Sequence, residues 1–68
     1  MTVEEMFKPL FLLLKSNEKA DEIVGQYMFM YTENNNFYYK HFATRDYIVI
    51  NSSGKLIDGH IIDPEIYF

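Results

Sequence analysis

Eight of the twelve aromatic side chains lie between Tyr27 and Tyr47, and just before that stretch the spacing of apolar residues changes. Up to Gly25 they recur at the three-to-four-residue interval of a helix; from Gln26 they run at strand-like spacing. A chain with one such switch places helical structure first and a sheet second, and the ring-rich segment has to supply most of the sheet.

Thr2 followed by Glu5 has the spacing of a capping box, in which a hydroxyl and a carboxylate each satisfy an amide left without a partner at a helix start. A helix is expected from there. Val3, Met6, Phe7, Leu10, Leu13 and Leu14 gather on one side of it, with Phe11 at the margin. Pro9 removes one intrahelical hydrogen bond and crowds the preceding turn, which predicts a kink or a start nearer Lys8. Ser16 is placed to cap a second short helix through Glu18, Ala20, Asp21, Ile23 and Val24, closed by Gly25 in a left-handed conformation.

Tyr27-Met28-Phe29-Met30-Tyr31 is apolar at every position, the pattern of a strand covered on both faces. Strict alternation puts Tyr27, Phe29 and Tyr31 on one side and Met28 and Met30 on the other. Asn34-Asn35-Asn36 reads as a turn, because asparagine tolerates positive φ and bonds to its own backbone. Phe37 to Phe42 and Tyr47 to Ile50 follow as strands, and Ser52-Ser53-Gly54-Lys55 as a hairpin turn before Leu56-Ile57. Gly59 weakens or bulges the last strand, and Pro64 ends ladder pairing near Asp63. The expected fold is α+β: an N-terminal helix or short helical hairpin on a three- to four-stranded antiparallel sheet connected as a meander, with residues 1–68 forming a single small domain.

Beginning at Met1, the chain is read as a whole gene product. One core of this size rarely supplies more than about 3–5 kcal/mol, so a further source of stability is expected. The chain has no cysteine and two histidines, His41 and His60, which leaves dense aromatic packing and self-association rather than disulfides or a structural zinc site. Ten acidic against six basic residues give a net charge of −4. That charge argues against direct binding to nucleic acid or to an anionic membrane surface. The longest apolar run, Leu10 to Leu14, is far below the roughly 20 residues that span a bilayer, and Glu4 and Glu5 stand where a secretory signal would carry positive charge. A cytoplasmic protein is expected. The abundance of Lys, Asn, Ile, Tyr and Phe over Arg suggests AT-rich coding, as in a low-GC bacterium or a phage.

Three constellations invite a chemical reading. Asp58, His60 and Asp63 place two carboxylates and an imidazole within six residues, and strand alternation would set Asp58 and His60 on one face, as a shared metal ion requires. His41, with Tyr39 on the same strand face and Asp46 across the next loop, has the chemistry of a general base. Neither comes with a nucleophile elbow, a phosphate-binding glycine loop or a full ligand set. The third constellation is aromatic and cationic: Tyr38, Lys40, Phe42 and Arg45 follow one another at near-alternate positions.

No cofactor is expected, and the chain is read as a non-enzyme. The reading that fits best is a small protein-binding or regulatory accessory protein that self-associates, as a homodimer, through an aromatic-rich sheet surface. Tyr, Phe and Met bind with much area and little entropy. Its candidate contact residues are Leu12, Tyr38, Lys40, Phe42, Arg45, Tyr67 and Phe68. A second reading makes the helical unit an acidic inhibitor of the mobile-element type, with Glu18, Asp21 and Glu22 entering the basic cleft of a nucleic-acid-processing or defence protein. A third is a metal-assisted hydrolase using Asp58, His60 and Asp63.

Overall fold

Thr2 and Glu5 do fix where the first helix begins: the Glu5 amide donates to Thr2 Oγ1 and the Thr2 amide to Glu5 Oε1, both at 3.1 Å. A computed structural model of the chain describes residues 1–66; Tyr67 and Phe68 lie outside the described residues. From the cap, helix α1 runs over Val3–Leu14 straight through Pro9, so the start near Lys8 is not adopted. Leu10 and Leu14 are buried, Phe7 and Leu13 partly so, whereas Val3, at the overhanging first turn, is 69% exposed.

The turn holding Pro9 is stitched to the sheet. The Tyr39 hydroxyl donates to the Met6 carbonyl at 2.7 Å, and the Leu10 amide lies against the same oxygen. Met6 and Leu10 are an i, i+4 pair of that turn, so one phenol touches both polar groups beside the proline.

Helix α2 is shorter than expected. It covers Ala20–Val24, with Lys19 at its N-cap and no side-chain cap. Instead of Ser16, Asn17 organises the approach: its Oδ1 accepts from the Lys19 amide at 2.8 Å and its carbonyl from Ala20 at 3.2 Å, a local turn that competes with helix. Gly25 is right-handed, at φ −63°. The Gln26 amide bonds back to the Ile23 carbonyl at 3.0 Å, so the chain passes from α2 into the sheet without a left-handed residue.

Strands β1 (Tyr27–Glu33), β2 (Asn36–His41), β3 (Tyr47–Asn51) and β4 (Leu56–Asp58) form one antiparallel meander in the order β1-β2-β3-β4. Asn34 and Asn35, at φ 53° and 65°, fill both left-handed positions of the two-residue β1–β2 turn. In the β3–β4 turn Gly54 sits at φ +90°, and Asn51 Oδ1 accepts from the amides of Ser53 and Lys55, both at 3.0 Å. That turn closes on α1: a Cβ on Gly54 would lie 2.7 Å from Leu12 Cβ.

The fold is therefore α+β, with the helices on one sheet face. The core is Leu10 and Leu14 of α1 and Ile23 of α2 against Tyr27, Tyr39, Ile48 and Ile50. Tyr39 carries rings on two sides, Phe7 at 5.7 Å and Phe29 at 5.9 Å between centroids, contacts that each add about 0.5–1.5 kcal/mol beyond area burial. After β4 the chain crosses back under α2. Gln26 Nε2 donates to the Ile62 carbonyl at 3.0 Å, the Ile62 amide reaches the Tyr27 hydroxyl at 3.3 Å, and a 3₁₀ turn follows at Pro64–Ile66.

Candidate interaction surface

A register shift in β1 decides which rings face away from the helices. Tyr27 to Phe29 pair with His41 to Tyr39 in one register, and Tyr31 to Glu33 pair with Tyr38 to Asn36 in the next, so Met30 is an extra residue opposite β2. Such a bulge reverses the facing of everything beyond it. Tyr31 therefore leaves the side of Tyr27 and Phe29, where alternation had placed it, and stacks on Tyr38 across the strand at 4.4 Å between centroids and 10° between planes.

On β2 and β3 the alternation holds. Phe37, Tyr39 and His41 point to the helices, as do Ile48 and Ile50, while Tyr38, Lys40, Tyr47 and Val49 lie on the opposite face, where Val49 is buried and Tyr38 and Lys40 are half-buried. Tyr38 and Lys40, two of the sequence candidates, thus share the open face, and Lys40 Nζ lies 5.8 Å from the centroid of the Tyr47 ring. Phe42 continues the outward series just past β2, 56% exposed. The expectation that both faces of β1 are covered is not met within the chain, since Met30 and Tyr31 remain 40% and 45% exposed. Partial desolvation, with Tyr38, Glu33 and Tyr47 as electrostatic neighbours, raises the Tyr31 hydroxyl above its ordinary pKa.

The other candidates fall elsewhere. Arg45 lies in the β2–β3 loop at φ 67°, beyond the Lys40 end of the sheet. Leu12 belongs to the helical layer on the far side, 38% exposed, with the Gly54 turn against its flank. Glu18, Asp21 and Glu22 are exposed on and before α2. The intervening Lys19 turns its charge to the C-terminal segment, hydrogen-bonding Glu65 and lying 3.8 Å from Asp63. The Glu65 hydrogen bond, with Asp63 and Glu22 nearby, holds the Lys19 ammonium above the usual lysine range.

His41 is buried, and its Nδ1 accepts the amides of Ala43 and Thr44 at 3.0 and 3.2 Å. With Tyr27 edge-on at 5.2 Å, the imidazole organises the loop that follows it. Asp58, His60 and Asp63 are not brought together. Strand β4 ends at Asp58, and Gly59 at φ +83° turns the chain off the ladder, which breaks the alternation that would have aligned Asp58 with His60. Asp63 is engaged by Lys19 and by the Glu65 amide. Among the described residues no group of three His, Cys, Asp or Glu side chains is placed to hold a metal ion, and no helix is long and apolar enough to cross a membrane.

Sequence reasoning left Tyr31, Tyr47 and Glu33 out of the surface. Tyr47 was within reach, because it alternates with the core residues Ile48 and Ile50. Tyr31 was not, because nothing local marks Met30 as an extra residue. Comparison with family models, curated proteins and solved structures finds no match to this chain.

Proposed function

We propose that this protein is a non-enzymatic interaction or regulatory accessory protein, working in the cytoplasm, and that the open sheet face is the surface it uses, self-association as a homodimer included. The observation that supports this reading most is the stacked Tyr31–Tyr38 pair, two large rings side by side on the outer sheet face, Tyr31 exposed and Tyr38 half-buried. Rigid aromatic residues lose little entropy on contact, and they are over-represented at the centres of protein interfaces. Lys40 and Tyr47 extend the patch with a cation and a further ring.

The test is light scattering after size exclusion on the full chain and on Tyr31→Lys/Tyr38→Lys. The wild-type mass should rise with concentration and the variant should stay at 8.1 kDa with an unchanged circular dichroism spectrum. A wild-type mass that never exceeds the monomer would count against self-association.

A second reading, acidic inhibition, is favoured by one observation: Lys19 draws Asp63 and Glu65 up beside α2, adding two carboxylates to that edge for its one charge. Glu18, Asp21 and Glu22 are left as an acidic exposed edge. Charge reversal at Asp21 and Glu22 should then abolish binding to a basic partner protein, while substitutions at Tyr31 and Tyr38 leave it intact.

A further inference from the structure

We infer that Tyr31 and Tyr38 are a site of oxidative modification, where a one-electron oxidant of the haem-peroxidase class joins the two rings into a dityrosine that staples β1 to β2. Composition narrows where an oxidising equivalent can settle. The chain has six tyrosines but neither cysteine nor tryptophan, the side chains that otherwise give up an electron as readily as a phenol. Among the described residues Tyr31 and Tyr38 form the one tyrosine–tyrosine ring contact, stacked at 4.4 Å and 10° directly opposite each other across the ladder.

Exposure and electrostatics select the same pair. Tyr27 and Tyr39 are buried, beyond the reach of a bulky oxidant. Tyr47 is exposed, but the Lys40 ammonium lies 5.8 Å from its ring centroid, and a nearby cation opposes the loss of an electron. Tyr31 is exposed with the Glu33 carboxylate as an electrostatic neighbour, and a nearby anion favours that loss.

Tyr31 gives up one electron and one proton, and Tyr38 then does the same. The two phenoxyl radicals pair their electrons in one carbon–carbon bond between positions ortho to the hydroxyls. The hydrogens on those carbons move to the phenoxyl oxygens, which restores both aromatic rings. Through the peroxidase, the two electrons and two protons reduce one hydrogen peroxide to two waters. Cross-strand neighbours hold their Cβ atoms about 4.5–5.5 Å apart, so tilting the rings from face-to-face to edge-to-edge joins the ortho carbons without moving the strands. Preorganised groups react at effective concentrations far above micromolar, so coupling within one chain outruns coupling between chains. The link falls one residue beyond the Met30 bulge and spans the Asn34–Asn35 turn, which locks the register that turns Tyr31 outward.

The full chain at about 5 µM, treated with a haem peroxidase and an equimolar amount of hydrogen peroxide, should yield a fluorescent monomer lighter by two hydrogen atoms. Cleavage after glutamate cuts at Glu33, between the two rings, so segment 23–33 should be recovered joined to segment 34–65, with fragment-ion masses placing the junction at Tyr31 and Tyr38. Tyr31→Phe and Tyr38→Phe should each lower the yield of crosslinked monomer at least about tenfold, and Tyr47→Phe should leave it unchanged. Absence of the lighter monomer, a junction at any other pair of tyrosines, a product formed only between chains, or a yield that survives Tyr31→Phe or is lost in Tyr47→Phe, overturns the assignment.

Discussion

Replacing Tyr39 by phenylalanine removes a single oxygen from the centre of the molecule. The ring is fully buried, and that oxygen donates to the Met6 carbonyl at 2.7 Å while the Leu10 amide lies against it. Losing a neutral hydrogen bond costs about 1 kcal/mol, and leaving a buried carbonyl unsatisfied costs about 1–3 kcal/mol. Loss of the bond at a buried site, with the Met6 carbonyl left to its helical partner Leu10, puts the cost at about 1.5–2.5 kcal/mol. Against the roughly 3–5 kcal/mol that one small core supplies, that is about half of the total. Urea unfolding should show a lower midpoint at unchanged slope, and the melting temperature should fall by about 8–15 °C. A Tyr39→Phe cost below about 0.5 kcal/mol would refute the claim that the phenol fastens α1 to the sheet.

Burial raises the pKa of Tyr39 well above the ordinary 10.0, the nearby Leu10 amide only partly offsetting it. A raised folded value means the stability is intact below pH 10 and is lost as pH climbs past the unfolded value, where only the unfolded chain ionises. An alkaline titration of stability should therefore fall above pH 10, and less steeply for Tyr39→Phe. Arg45 holds φ 67° without the freedom of glycine, so Arg45→Gly should leave stability unchanged or raise it by up to about 1 kcal/mol, measured by the urea midpoint. Gly59→Ala should do the opposite: its Cβ would stand 2.6 Å from the Tyr47 carbonyl at φ +83°, and a loss of at least about 1–2 kcal/mol is expected.

Features governed by neighbours in the chain were legible in the sequence. The Thr2–Glu5 box, the asparagine turn and the Asn51–Lys55 turn each close within five residues, so their side chains announce them. The meander followed, because three short connections leave antiparallel neighbours as the simplest arrangement. Ser16 and Gly25 misled because Asn17 offered a competing local turn and the path into β1 required no chain reversal. The bulge at Met30 was beyond reach for a different reason. It is fixed by how β1 registers against β2, a long-range match that no local motif records, and it alone moves Tyr31 from the core side to the open face. The separation of Asp58 from His60 was half legible, since Gly59 marked a break in the last strand, but the direction of its turn at φ +83° was not.

Hydrogen exchange of wild-type protein across a dilution series, from about 500 to about 5 µM, puts the open face to the most direct test. Amides of β1 and β2 from Met28 to Tyr31 and from Tyr38 to Lys40 should gain protection as concentration rises, while those of α1 and α2 stay constant. Exchange independent of concentration on those strands, or protection appearing on the helical layer instead, would contradict the assignment of that face as the binding surface.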